Sequence, residues 1–170
     1  NKDLEVLSKY DHLTGLANRR YLQQQMEVLW QQGSLSLLVL DIDLFKQIND
    51  QFLHTVGDQV LKKCGEILLS ACQKTGLAAR FGGEEFVLLL PKTTLQNAQP
   101  LVEKIRSSVG SSSFHFKKER VDIIHSKLVI GRTRVNGVLI RLVQLELIES
   151  KSPLEALAGL QSRFDSSADE

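Results

Sequence analysis

Leu4, Leu7 and Tyr10 recur every third position and predict one helical face running into the polar stretch Asp11–Thr14. Residues 1–10 read as the stub of a helix or linker that enters from an upstream segment, with the domain itself over 11–165. Asn18 is placed to cap a second helix through Tyr21, Leu22, Met26, Leu29 and Trp30, which Gly33-Ser34 ends. Leu35–Leu40 is apolar at nearly every position, the pattern of a central strand covered on both faces, and it stops at Asp41-Ile42-Asp43. A short helix is expected over Phe45–Phe52. A longer one carries Val60, Leu61, Cys64, Ile67, Leu68 and Ala71 on one stripe and ends near Gly76.

Leu77–Phe81 and Glu85–Leu90 flank Gly82-Gly83 as a hairpin whose glycines are expected to supply positive φ angles. Pro91 closes its second strand. A helix over about Thr94–Val109 tolerates Pro100 in its first turns, and strand-like pieces follow at Phe114–Phe116, Val121–Ile124 and Leu128–Val135. Val138–Ile148 fits either a strand or an apolar helix, and Pro153 is placed to start a short helix through Leu160.

At 170 residues, 42% hydrophobic and 24% charged, the chain suits one globular domain and excludes a disordered or collagen-like one. A net charge of +1 argues against broad attraction to nucleic acid. No apolar run approaches the ~18 residues that span a bilayer. The start is neither a leader peptide nor a methionine, so a cytoplasmic domain cut from a longer protein, or the cytoplasmic part of a membrane-bound sensor, is expected. No direct contact with the membrane is expected. Cys64 and Cys72 fit two reduced core thiols, and His12, His115 and His125 show no metal-ligand spacing with them.

The chemistry concentrates where the central strand ends. Asp41 and Asp43 point to one side because strand side chains alternate. If the hairpin lies beside that strand, Glu84 and Glu85 join them, and up to four carboxylates converge. Such a group repels itself unless a cation neutralises it, and all-oxygen ligation suits Mg²⁺. Taken alone, Gly82-Gly83-Glu84-Glu85 also fits an ordinary exposed turn.

Four motifs occur in order: Asp11-x-Leu13-Thr14-Gly15-Leu16-x-Asn18-Arg19-Arg20; Asp41-Ile42-Asp43-x-Phe45-Lys46-x-Ile48-Asn49-Asp50; Gly57-Asp58-x-Val60-Leu61; and Arg80-Phe81-Gly82-Gly83-Glu84-Glu85-Phe86. Over about residues 4–123 the chain resembles the GGDEF family of diguanylate cyclases. The resemblance implies an α/β (α+β) nucleotidyl-cyclase-like fold, a mostly antiparallel central sheet flanked by helices. It implies condensation of two GTP into cyclic di-GMP with release of pyrophosphate, at the interface of a homodimer in which each domain presents one GTP. It also implies an upstream sensor that drives the domain.

By matching position, the resemblance implies that Asp41 and Glu84 hold Mg²⁺ (or Mn²⁺), with the Ile42 carbonyl as a further ligand. Glu84 is then the acceptor of the 3′-hydroxyl proton, with Glu85 beside it. Asn49 and Asp58 would read guanine, and His54 would lie in the same pocket. Lys46 and the backbone around Leu44 and Phe45 would hold phosphates. The residue chemistry agrees: a carboxylate can accept from guanine N1–H and its amine, an amide both donates and accepts, and a lysine meets phosphate as a point charge. Asp11, Thr14, Asn18 and Arg19 read as the junction between the entering helix and the domain.

Two departures stand out. The inhibitory product site of the family, Arg-x-x-Asp, falls on Gln73 and Gly76, so it is expected to be absent. Beyond about Ile123 the family's motifs fade to a partial Val129-Ile130-Gly131, and the basic residues that normally help hold the triphosphate are lost. Residues 124–170 are therefore atypical, through divergence or an altered reading frame. They leave room for an alternative function, a catalytically silent domain that binds GTP and regulates a neighbour.

Overall fold

The computed structural model describes residues 9–42, 45–52, 54–72, 76–112, 114–116, 119–121, 128–129, 132–135 and 138–145, with Ala158 and Ser162 besides. Its strands are β1 (Ala17–Asn18), β2 (Leu35–Ile42), β3 (Leu77–Arg80), β4 (Glu85–Pro91), β5 (Phe114–Phe116), β6 (Glu119–Val121), β7 (Leu128–Val129), β8 (Arg132–Val135) and β9 (Val138–Leu145). Its helices are α1 (Arg19–Trp30), α2 (Phe45–Phe52), α3 (His54–Cys72) and α4 (Leu95–Gly110). Seven strands form one sheet in the order β1-β3-β4-β2-β9-β8-β7, while β5 and β6 pair separately. Among the described strands, only the β1–β3 pairing is parallel. The class expected from the resemblance, a mostly antiparallel sheet with flanking helices, is the one observed.

The alternation of β2 and β4 divides the core in two. Leu35, Leu37, Val39, Val87 and Leu89 meet Leu22, Met26 and Trp30, which recur every fourth position on α1. Leu38, Leu40, Ile42, Phe86, Leu88 and Leu90 face the other way, onto Val60, Leu61, Cys64 and Leu68 of α3 and Ala98, Ile105 and Val109 of α4. β2 is thus sandwiched between helical layers, as its continuous apolar run predicts. Asn18 caps α1 by accepting from the Tyr21 amide at 2.9 Å, and Thr94 caps α4 in the same way from Asn97. Cys64 and Cys72 are free and buried, and burial pushes the Cys64 thiol up to about 12, far from reactive thiolate. Among the described residues, no helix is long and apolar enough to cross a membrane.

Two local expectations need correction, and one left open is settled. Gly82 and Gly83 do not have positive φ; the turn spans four residues, with the Phe81 and Gly82 amides both donating to the Glu85 carbonyl. A side chain at Gly82 would collide with the Glu85 carboxylate, so glycine here serves close approach rather than a left-handed backbone. Leu128–Val135 is not one strand but the β7–β8 pair, with Leu128 opposite Thr133. The ambiguous run after Val138 is a strand, β9, and lies beside β2 with Asp41 opposite Leu139. The predicted helix from Pro153 to Leu160, Ala158 apart, the C-terminal end of the Val121–Ile124 strand and the entering helix before Lys9 lie outside the described residues.

Candidate active site at the end of the central strand

The central strand delivers Asp41 to the edge of the apolar layers, where it is half-buried beside the hairpin. Register places Asp41 directly opposite Glu85, so both side chains emerge on the same face of the sheet. The Ile42 amide donates to the Glu84 carbonyl at 3.2 Å, which ties the hairpin tip to the strand end. The Ile42 side chain is 2% exposed and anchors that end in the core. Glu84 is half-buried, and burial pushes its carboxyl above the ordinary value.

The expected convergence of four carboxylates is reduced. Asp43 lies outside the described residues. Glu85 packs its carboxylate back against the bare Gly82, and among the described residues no three His, Cys, Asp or Glu side chains form a metal-holding cluster. Asp41 and Glu84 stand on segments joined by the bond from the Ile42 amide to the Glu84 carbonyl. Carboxylate and main-chain carbonyl oxygens are the donors a hard divalent cation takes, so these residues could hold one whose shell is completed by phosphates and water.

The residues that the resemblance assigns to reading the nucleotide sit on α2 and α3. Phe45 and Ile48, each 8% exposed, fasten α2 to the core and leave Lys46 out in solvent. Asn49 is half-buried, and its Oδ1 is a buried oxygen with no hydrogen-bond partner. It faces Gly57: a β-carbon there would run into Asn49 Oδ1 and approach Phe45 Cζ at 3.1 Å. His54 and Asp58 are exposed one turn apart on α3, and Asp58 directly follows Gly57. The fold therefore brings Asn49 to the Gly57-Asp58 segment. Leu44 and Gln73 lie outside the described residues. Gly76 is present and donates its amide to the Cys72 carbonyl at 3.2 Å. A side chain at Gly76 would strike the Leu89 carbonyl, so the backbone itself excludes an acid at this position.

One prediction arises from the Asn49 contact. Gly57→Ala should force the Asn49 side chain aside, because its amide end is the part that can move. If Asn49 reads the nucleotide, as the resemblance implies, KM for GTP should rise about tenfold, the scale of one lost buried hydrogen bond, with kcat little changed. Steady-state kinetics checks this; an unchanged KM would show that Asn49 does not bind the nucleotide.

The sequence shows Arg80 as the first residue of the hairpin motif and suggests at most a weak hold on product; in the structure it joins the site to the entry loop. Its Nε and Nη2 donate to the Gly83 carbonyl at 3.2 and 2.8 Å, and its Nη1 lies 3.2 Å from both Asp11 carboxylate oxygens. The Asp11 carboxylate also accepts from the Thr14 amide at 2.9 Å and the Thr14 hydroxyl at 2.7 Å. Burial pushes the Asp11 carboxyl up, but the bonds from Thr14 and the charge of Arg80 outweigh it and hold it below its ordinary 3.8. Next to this pair, the Arg19 guanidinium stacks 4.5 Å from the centre of the buried Phe81 ring. The sequence signal for Arg80 is its place at the head of the Arg80-Phe81-Gly82-Gly83-Glu84-Glu85-Phe86 motif.

Comparison with known proteins adds to this geometry. The family described as "Diguanylate cyclase, GGDEF domain" matches residues 8–137, further along the chain than the motifs alone reach. The diguanylate cyclase DgcP of Pseudomonas aeruginosa is 45% identical over 118 residues, 66% of this chain and 18% of that protein. The response regulator PleD of Caulobacter vibrioides is 43% identical over 136 residues, 77% of this chain and 30% of that protein. The chain therefore spans under a third of the length of these relatives. Among solved structures, the GGDEF domain of DgcB from Caulobacter crescentus, in complex with c-di-GMP, superposes with a TM-score of 0.76 at 25% identity, covering 95% of this chain and 91% of that one. The diguanylate cyclase SiaD of Pseudomonas aeruginosa, in complex with its activator SiaC, gives 0.72 at 30% identity, covering 94% of this chain and 62% of that one. With the motifs, the sheet and the acidic strand end all in agreement, the chain belongs to the GGDEF-domain family of diguanylate cyclases.

Proposed function

We propose that this domain condenses two GTP molecules into cyclic di-GMP, releasing pyrophosphate, as one half of a homodimeric active site. The observation that carries the reading is the bond from the Ile42 amide to the Glu84 carbonyl, which sets a half-buried glutamate at the end of the strand bearing Asp41. Asp41, Glu84 and the Ile42 carbonyl would hold Mg²⁺, with Mn²⁺ as the alternative ion. Bound there, the metal would neutralise charge on the phosphates and make the hydroxyl easier to deprotonate.

The chain's own groups do the rest. Asp58 accepts from guanine N1–H and the exocyclic amine, and Asn49 Oδ1 adds an acceptor beside it, with His54 in the same pocket. Lys46, exposed at the start of α2, meets the phosphates together with the backbone of Leu44 and Phe45. Glu84, with Glu85 next to it, takes the proton from the 3′-hydroxyl of one GTP. That oxygen bonds to the α-phosphorus of the other GTP while the bond to its β-phosphate breaks, and pyrophosphate leaves. Repeating the step in the opposite sense closes the ring. Each half contributes one nucleotide, so two domains are required.

On this reading residues 11–165 would serve as the output domain of a larger signalling protein, driven by an upstream sensor through residues 1–10. Incubation with GTP and Mg²⁺ followed by chromatography tests the reading. Cyclic di-GMP and pyrophosphate are expected; GTP bound but recovered unchanged would favour the silent regulatory domain, which the lack after Ile123 of the basic motif positions that the family uses to hold the triphosphate supports.

Feedback should also differ from inhibited relatives. Gln73 lacks the charge and fork with which arginine grips phosphate, and Gly76 has neither side chain nor room for one. Turnover is expected to continue as cyclic di-GMP accumulates. Calorimetry with cyclic di-GMP beside a progress curve checks this; tight stoichiometric binding with early arrest would mean that another surface has taken over inhibition.

A further inference from the structure

The four-residue turn that carries Glu84 uses its amides inwardly, with Phe81 and Gly82 both bonding the Glu85 carbonyl. Its outward carbonyl, Gly83, is gripped from outside by two nitrogens of Arg80. Arg80 is itself tied to Asp11, and the two side chains are only 17% and 16% exposed. Asp11 is fixed on every side: its amide bonds the Leu16 carbonyl at 2.7 Å, its carbonyl accepts from the Gly15 amide at 2.8 Å, and its carboxylate accepts from Thr14. A rigid anchor therefore holds a planar fork, and the fork holds the residue next to Glu84.

We infer that Arg80 is a positioning residue for cyclisation: braced on Asp11, it holds the Gly83 carbonyl and thereby sets the Glu84 carboxylate against Asp41. The inference rests on the cyclase reading above for its effect on turnover, but not for its effect on the turn. Any movement of the Tyr10–Leu16 loop reaches Glu84 through the Asp11–Arg80–Gly83 chain of bonds. A lysine at position 80 would offer one point charge, unable to serve Asp11 and Gly83 together with a fixed plane.

The test compares the parent chain with Arg80→Met, Arg80→Lys and Asp11→Asn by steady-state kinetics, Mg²⁺ titration of the rate and residue-resolved amide exchange. In Arg80→Met, kcat should fall by about 10²-fold, the cost of misplacing a reacting group by roughly 1 Å, with KM for GTP within about threefold. The half-saturating Mg²⁺ concentration should rise severalfold. The Ile42 amide, bonded to Glu84, should exchange about tenfold faster, while Leu38 and Leu88 at the centre of the sheet stay protected. Arg80→Lys and Asp11→Asn should fall between this variant and the parent.

Parent-like exchange at Ile42 in Arg80→Met would overturn the inference, whatever happens to the rate or the melting temperature. A raised KM with unchanged kcat would overturn it too, because Arg80 would then bind substrate rather than place Glu84. If Ile42 is loosened but the parent chain makes no cyclic di-GMP, the positioning role stands and the cyclase reading fails.

Discussion

Glu84→Gln is expected to abolish cyclic di-GMP formation, by about 10³-fold or more, while leaving the fold intact. Glutamine keeps the shape of the side chain but removes both the charge that would hold a metal and the basic oxygen that would take the hydroxyl proton. Among the described residues, that carboxylate makes no hydrogen bond or ion pair. The main-chain carbonyl of Glu84, not its carboxylate, receives the Ile42 amide, and Arg80 holds the neighbouring Gly83. Stability should therefore stay within about 0.5 kcal/mol, as for a surface substitution that breaks no packing. Activity and thermal unfolding measured together decide the matter. A large fall in melting temperature would move Glu84 from chemistry to structure.

Asp58→Ala is expected to raise the GTP requirement and relax discrimination against ATP by about 10- to 100-fold, the worth of hydrogen bonds to a charged group. Asp58 is exposed on α3 and packs into neither half of the core, so its loss should not disturb the helix. A carboxylate pairs with a guanine N1–H and amine, but offers adenine's unprotonated N1 only repulsion. Removing it weakens the right base and forgives the wrong one. Competition between the two nucleotides measures the ratio, and an unchanged ratio would mean that Asp58 does not read the base.

Much of this arrangement is legible in the sequence because it is local. The apolar run of β2 and its abrupt end at Asp41, the exact span of α2 and the Asn18 cap all follow from short-range periodicity and capping chemistry. What the sequence hides is long-range. Asp11 and Arg80 are 69 positions apart, and only the parallel pairing of β1 with β3 brings their segments together. The Gly82 turn departs from expectation for the same reason: a Gly-Gly pair suggests left-handed turns, whereas here the requirement is set by where Glu85 folds. Likewise β9 was ambiguous because a run apolar on both faces fits either element until its partner, β2, is known.

The most direct test of the central claim is the initial rate of cyclic di-GMP and pyrophosphate formation from GTP and Mg²⁺ over a range of protein concentrations. If two domains must each present a nucleotide, one cyclic di-GMP and two pyrophosphates should appear for every two GTP consumed. The rate should also rise more steeply than linearly with protein while the domains are mostly monomeric. GTP recovered intact at every concentration, despite measurable binding, would contradict the account.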